Sequence, residues 1–315
     1  MAFTDTAALS QLLQTAFQLK AYKALRTKLI YEQFIDEEMI KWVSGDDPQP
    51  GSTVTFSFVN DLTETPATIA ESTDVTPTAL SSTQLSVTAQ EYGFAVTVTQ
   101  RLNAVGLVKV SPIAAERIAR QMGAWHDIIA RNVVQAGTNV VYAGAATSRV
   151  TVSAVMNLSS AKIRQVVAKL RGTGAMPIRD ENYAALVHPD STVDLRAEPS
   201  TIAGWRPVHE YQDKMAIFNG ETGTYEGAFF IENPRSPLFV DSGVGGTVDV
   251  YGTLFLGKEA MAQAIGYRRE IVVGPQTDNL RRFLPIGWKS MVGYGVFRQG
   301  ALYRLESSST IGINT

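Results

Sequence analysis

The stretch from Ser111 to Gly137, SPIAAERIARQMGAWHDIIARNVVQAG, constrains this chain more than any other. Ala115, Ile118, Met122, Trp125, Ile129 and Val133 recur at spacings of three or four, which predicts one apolar face on a single long helix. Ser111 is placed to accept from the first-turn N–H groups, and Pro112 sits where a missing N–H costs nothing. Gly137 is expected to end the helix in the left-handed conformation. Glu116, Arg117, Arg120, Asp127 and Arg131 fall largely on other faces. At 1.5 Å per residue the helix would run roughly 40 Å, about the width of a small domain. By pattern alone it is an amphipathic core helix.

The 315 residues are 45% apolar and 18% charged, enough for one large or two moderate cores. The absence of cysteine excludes disulfides, thiol catalysis and thiolate metal sites, and fits folding in a reducing cytoplasm. MAFTDTAALSQLLQ lacks the basic-then-apolar order of a signal peptide, and no apolar run is long enough to span a bilayer. The chain is therefore expected to be soluble, made in the cytoplasm and without a membrane partner. A net charge of −2 argues against a tight non-specific grip on nucleic acid, which needs a surplus of Lys and Arg.

Residues 6 to 43 are expected to be helical, with Leu9, Leu12, Leu13, Phe17, Leu25, Leu29 and Ile30 on one stripe. Lys20, Lys23, Arg26 and Lys28 form a basic run, and Glu32, Asp36, Glu37 and Glu38 reverse its sign. The Pro- and Gly-rich segment Ser44–Gly51 then stops the helix and turns the chain. Such an arm either packs on its own body or seeks a partner. From Ser52 the period becomes two: TVTFSFV and Leu85–Thr99 alternate and are rich in β-branched residues. The polar stretch DLTETPATIAESTDVTPTALSS between them is too long for a tight turn and too polar for a core, so it is expected to project as an extended loop. From Trp42 to Gln100 there is no Lys or Arg, but there are Asp46, Asp47, Asp61, Glu64, Glu71, Asp74 and Glu91. Like charges of this kind form either a solvated face or a surface that meets a basic one on another subunit.

After the long helix, Ser159–Leu170 predicts a second one, capped by Ser159 or Ser160, with Ile163, Val166, Val167 and Leu170 inward and Gly172 and Gly174 ending it. The remainder is strand-rich: YAALVHP, MAIF, GAFFIEN, LFV, TVDVYGTLFLG, REIVV, Gly287–Phe297 and ALYRLES. Lys258–Ala264 is at most a short helix. No repeat of 20 to 50 residues is present.

The residues offer no catalytic constellation. His126, His188 and His209 are scattered; His188-Pro-Asp190 reads as a satisfied loop histidine rather than a metal pair. Gly243-Val-Gly-Gly246 lacks the spacing and the Lys-Ser/Thr of a phosphate loop. Glu37-Glu38 and Asp46-Asp47 read as surface acids, and Arg268-Arg269 and Arg281-Arg282 as ion-pair formers within or between subunits. No cofactor and no metal is implied, and the chain is not read as an enzyme.

The order of parts is informative. EYGFAVTVT within Leu85–Thr99, RNVVQAGTNVVYAG (131–144), YAALVHPDSTVDLR (183–196), Ile217–Gly223, Tyr251–Ala260 and Ile286–Lys289 follow one another across residues 10 to 307. In that order the chain resembles the major capsid proteins of tailed phages with the Hong Kong 97-type fold, an α+β architecture, and most of all the group typified by coliphage N-four. The resemblance implies an N-terminal arm (1–51), an extended β-hairpin loop (52–100), a peripheral domain (101–175 and 267–309) with a spine helix at 111–137, an axial domain (176–266) and a short tail (310–315). It implies pentamers and hexamers of an icosahedral shell enclosing double-stranded DNA with weak non-specific contact, and a place in the virion after assembly in the host cytoplasm. Portal and decoration proteins are implied partners. Only about fifty residues precede the hairpin, so a separate scaffolding protein is expected rather than a fused one of about a hundred. An encapsulin-like nanocompartment that packages enzymes is the alternative. Candidate intersubunit contacts are Asp61, Glu64, Glu71 and Asp74 on the loop, with Lys20, Lys23, Arg26 and Lys28 or Arg117, Arg120 and Arg131 as their basic counterparts. Some relatives crosslink through a loop lysine; between Lys41 and Lys109 this chain has none, so non-covalent assembly is expected.

Overall fold

The computed structural model describes residues 29–43, 52–60, 62, 68, 71–72, 74, 77–105, 110–199, 204–210, 218–275, 279–280 and 282–311. In chain order β1 (Ile40–Trp42), β2 (Thr53–Val59), β3 (Ser82–Thr88), β4 (Gln90–Thr99), the short helix α1 (Gln100–Val105) and the spine helix α2 (Val110–Gln135) come first. Then follow β5 (Val140–Tyr142), α3 (Ser160–Gly172), β6 (Tyr183–Val187), α4 (Pro189–Ala197), β7 (Arg206–Pro207), β8 (Glu221–Tyr225), β9 (Ala228–Glu232), β10 (Leu238–Phe239), β11 (Val250–Leu256), β12 (Met261–Val273), β13 (Phe283–Val296) and β14 (Leu302–Ser307).

Three sheets result. The largest runs β5-β14-β11-β6-β9-β8-β7, with β10 beside β11; a second runs β1-β12-β13-β4; β2 and β3 form a separate antiparallel pair. The central strands β6, β9 and β11 are apolar nearly throughout and buried along almost their whole length, as strands covered on both faces must be. The expected alternating run Leu85–Thr99 is two strands. It breaks at Ala89, leaving β3 in the hairpin while β4 pairs with β13 in the four-stranded sheet. Lys258–Ala264 is no helix; β12 begins at Met261. MAIF lies mostly outside the described residues.

The spine helix spans both sheets. Its first half, through Ala115, Ile118, Ala119 and Met122, packs on Ile271, Ile286 and Trp288 of the four-stranded sheet. Farther along, Ala130 and Val134 join the main core with the large sheet and α3. The apolar face differs from expectation after Met122: Trp125 is 39% exposed, Ile129 and Val133 are half-buried, and His126, Asp127, Ala130 and Val134 are fully buried. Spacings of four (122, 126, 130, 134) rather than three then four keep one side of the helix inward, and two polar residues occupy it. Gly137 is not left-handed. A Cβ there would meet Leu302 Cδ2 at 2.6 Å, so glycine serves close approach of the helix end to β14.

Helix α3 buries Ile163, Val166, Val167 and Leu170 as expected. Ser159 is its N-cap, but its side chain accepts no capping hydrogen bond; Glu198, just past α4, accepts from the Ser160 N–H at 2.7 Å and from its hydroxyl at 3.0 Å. At its other end Gly174 is left-handed, and Ala175 N–H donates to Leu170 O. The arm is not helical where it is described. Residues 29–43 form two single 3-10 turns, Tyr31–Phe34 and Glu37–Met39, followed by β1, which pairs in parallel with β12.

Candidate functional site

Two places stand out: a buried clasp that fixes the root of the arm, and the hairpin that leaves the body.

The clasp is built on His126-Asp127. Asp127 is fully buried, and its Oδ1 accepts from the backbone N–H of Ile30 at 2.9 Å and of Tyr31 at 3.1 Å. Its Oδ2 accepts from Asn233 Nδ2 at 3.1 Å and lies 3.8 Å from Arg235 Nη1. One carboxylate thus joins the arm, the spine and the loop after β9. Those donors also explain why the described root of the arm is not an α-helix: two main-chain N–H groups are turned towards a side chain instead of a preceding carbonyl. Burial raises the Asp127 pKa, and the backbone and Asn233 hydrogen bonds oppose that rise.

One residue earlier, His126 Nε2 lies 3.0 Å from Ser290 Oγ, and Nδ1 lies 3.5 Å from Tyr294 OH. Burial, helped by the Arg269 charge, pushes its pKa down to about 2, so the imidazole is neutral. Beside it, Glu32 of the arm pairs with Arg269 of β12 and accepts from Tyr294 OH. The Tyr294 phenol is held well above its ordinary range, first by burial and then by Glu32. A cleft of about 320 Å³ opens onto this group, lined by Trp42, His126, Gln263, Arg268 and Arg269 among others. Nothing in this arrangement pairs a nucleophile with a base of suitable pKa. Its chemistry is that of a lock.

The hairpin is anchored at its root, and most of the described residues beyond it are exposed. Val54, Phe56, Val87 and Ala89 pack on Ala262 and Ala264. Phe297 meets Phe58 edge-on at 5.0 Å. Lys41 donates to Thr55 O and lies 4.9 Å over the Phe56 ring, so one own-chain cation does reach the hairpin. Glu91 of the acidic run accepts from Tyr267 OH at 2.6 Å; burial first, and then Glu91, push that phenol up to about 12. Farther out β3 is mostly exposed, and Val59, Leu62 and Leu80 are 62%, 56% and 68% exposed.

The sequence-derived contact residues are scattered over these features. Glu71 and Asp74 are exposed; Asp61, Glu64, Lys20, Lys23, Arg26 and Lys28 lie outside the described residues. Arg117 is exposed, whereas Arg120 pairs with Glu116 and Arg131 donates to Arg235 O and Asn132 Oδ1. His188 caps α4 by accepting from Asp190 N–H at 3.3 Å. Arg269 makes the intrachain ion pair expected of one arginine doublet; Arg268 lies over the Trp42 ring. The clasp residues Glu32, His126, Asp127, Asn233, Ser290 and Tyr294 are absent from the sequence-based set. The signal that would have found His126 and Asp127 is their position between Met122 and Ala130 on the buried stripe.

A spine helix laid over one sheet and joined to a larger one, with an arm and a projecting hairpin, defines the Hong Kong 97-type shell fold. The structure is similar to the capsid of Ralstonia phage GP4 at 13% identity, covering 91% of this chain and 92% of that chain with a TM-score of 0.76. It is also similar to the capsid of Cyanophage P-SCSP1u (13% identity, 90% and 89% covered, TM-score 0.66). The capsid of Helicobacter pylori bacteriophage KHP30 gives 12% identity, 89% and 91% covered, and a TM-score of 0.63. No curated protein matches the chain significantly. Residues 6–124 and 128–315 match the family described as Phage capsid protein, and the chain belongs to that family. It is a structural protein of the virion capsid, not an enzyme, and the encapsulin-like alternative is not favoured.

Proposed function

We propose that this chain forms the pentamers and hexamers of an icosahedral shell around double-stranded phage DNA, and that its nearest kin are the group typified by coliphage N-four. The observation that carries this reading is the hairpin: anchored at its root, it holds Val59, Leu62 and Leu80 in water on a lone subunit. Large apolar side chains left exposed on an outer element mark a surface covered by another molecule. The acids of the loop give that contact its register, each exposed pair contributing only about 0.2–1 kcal/mol.

In this reading residues 1–51 are the arm, 52–100 the extended loop, 101–175 with 267–309 the peripheral part around the four-stranded sheet, 176–266 the axial part, and 310–315 a tail. β14 crosses back into the axial sheet. A separate scaffolding protein, a portal and a decoration protein are the proposed partners. Electron microscopy of the purified chain should show shells. Replacing residues 60–81 by a short Gly-Ser turn should leave a folded subunit of unchanged melting temperature that forms none. Shells of normal yield from that variant would overturn the hairpin's role.

A further inference from the structure

Strand β12 departs from regular pairing at two places, and both border the cleft beside the clasp. Its partners in β13 run Ile265 with Val292, Tyr267 with Met291, and Glu270 with Lys289. Gly266 is therefore one extra residue, and Arg268 and Arg269 together stand opposite the single Ser290. In a regular strand adjacent side chains point to opposite faces, so only one of two neighbouring arginines could reach a given cleft. The bulge lets both line this one, along with Ser290. At the first shift glycine serves close approach, since a Cβ on Gly266 would collide with Met291. Bulges interrupt a ladder, and they recur beside sites where a side chain has to be re-aimed.

The two arginines are engaged differently. Arg269 holds Glu32, which also accepts from Tyr294 OH, so that carboxylate brings no free charge to the cleft. Arg268 is exposed, lies 5.2 Å over the Trp42 ring and has no acid partner among the described residues. The charges around Tyr267 are matched: Glu91 accepts from its hydroxyl, and Lys289 lies 3.8 Å from Glu270. Trp42, Ile265 and Val292 give the cleft apolar walls. Gln263 and Ser290, both buried, supply uncharged polar atoms at its deep end. A volume of about 320 Å³ puts it at the lower end of the range for small-molecule sites.

We propose that this cleft binds a small organic anion: a carboxylate or phosphate monoester on a flat apolar body, with a polar atom at its far end. The anionic group pairs with Arg268 at the mouth, because the fixed fork of a guanidinium matches the oxygens of either head group. The body lies along Trp42, Ile265 and Val292. The far polar atom meets Gln263 and Ser290, whose hydroxyl keeps bonding capacity beyond its contact with His126. Free phosphate fits less well, since it would use Arg268 alone and leave the apolar walls in water. A bound molecule touches the arm through Trp42 and the body through β12 and β13, so it holds β1 on its sheet. The site is complete in one subunit and does not depend on the shell.

Calorimetric titration of the full-length subunit tests this with 4-hydroxybenzoate and 4-hydroxyphenyl phosphate, and with inorganic phosphate as the anion that lacks a body. At least one of the two organic anions should bind once per subunit, and the tighter of them names the head group. Inorganic phosphate should bind about tenfold more weakly or worse, for want of the apolar contact. Arg268→Gln should lower the affinity about tenfold while the melting temperature of the unliganded chain stays unchanged, and Arg268→Lys should recover part of that loss. Trp42→Ala should weaken both organic anions and leave inorganic phosphate unaffected. No saturable heat from either organic anion would overturn the proposal. So would inorganic phosphate binding as tightly as they do, which would leave only a surface cation, or an affinity indifferent to Arg268→Gln. Binding by the free subunit that vanishes in assembled particles would give the cleft to a neighbouring chain and overturn it as well.

Discussion

The two halves of the spine helix are held in different ways. The inward residues of the first half, Ala115, Ile118, Ala119 and Met122, are apolar and rest on Ile271, Ile286 and Trp288, whose Nε1 also donates to Gln121 Oε1. The stability of this half comes from area removed from water, about 25 cal/mol per Å², and tolerates small shifts because that force has no direction. The second half places His126 and Asp127 where the pattern asks for apolar residues, and uses them to hold the main chain of Ile30 and Tyr31, Asn233 and, through Tyr294, Glu32. Hydrogen bonds of this kind add little net stability but fix geometry, and leaving them unmade is costly. The sheet-packed half makes the body; the clasped half decides where the arm leaves it.

The sharpest way to break that comparison is Asp127→Ala. It strands three buried donors and leaves Arg235 without its carboxylate, so a loss of about 3–5 kcal/mol is expected in urea unfolding of the subunit. Asp127→Asn, which keeps one acceptor oxygen, should lose less. If Asp127→Ala costs under about 1 kcal/mol, the clasp is not what holds the arm root. Next in size is Met122→Ala in the apolar half, expected to cost about 2–5 kcal/mol by the same measurement. Its loss should not depend on pH.

The polar half should depend on pH, through His126. Unfolded, this histidine takes a proton near its ordinary 6.5; folded, burial and Arg269 hold it neutral down to about 2. Between those values the unfolded chain binds more protons, so stability falls as pH drops below 6.5, by about 1.4 kcal/mol per unit from this group. The groups facing the ring are Ser290, Tyr294, Arg269 and, beyond Tyr294, Glu32. Asp127 works with the opposite sign: its raised pKa lets the folded state take a proton first, so that contribution is present at low pH and is lost as pH rises through the raised value. His126→Gln should therefore flatten the acid slope between pH 6.5 and 5 without removing the Asp127 effect. An unaltered slope would locate the acid sensitivity elsewhere.

Much of the fold was legible because it rests on local pattern. The inward residues of α3 and the strand runs at 183–187, 228–232, 250–256 and 302–307 all follow from period and turn chemistry. What escaped depends on distant partners. Leu85–Thr99 reads as one strand, yet it changes sheets at Ala89 because β13 claims its second half. The arm reads as helix to residue 43, yet Asp127, 97 positions away from Ile30, takes its N–H groups. A carboxylate on a helix is taken for a surface group until something shows that its donors are built in. The clasp was hidden for that reason.

The smallest expected effect tests where the apolar face turns. Periodicity puts Trp125 inside, where truncation would cost about 2–5 kcal/mol. In the structure it is 39% exposed and meets Tyr92 edge-on at 6.1 Å, above the exposed strand β4. An aromatic pair of this kind adds about 0.5–1.5 kcal/mol beyond its area, and half-exposed pairs fall at the low end. Trp125→Ala should thus cost about 1 kcal/mol or less in an isolated subunit, far below Met122→Ala. A loss of 2 kcal/mol or more would mean that the helix is rotated towards Trp125 and that His126 and Asp127 are nearer to solvent than the clasp requires. The two variants measured side by side fix the rotation of the spine. On that rotation depend both the neutral His126 and the hold on the arm.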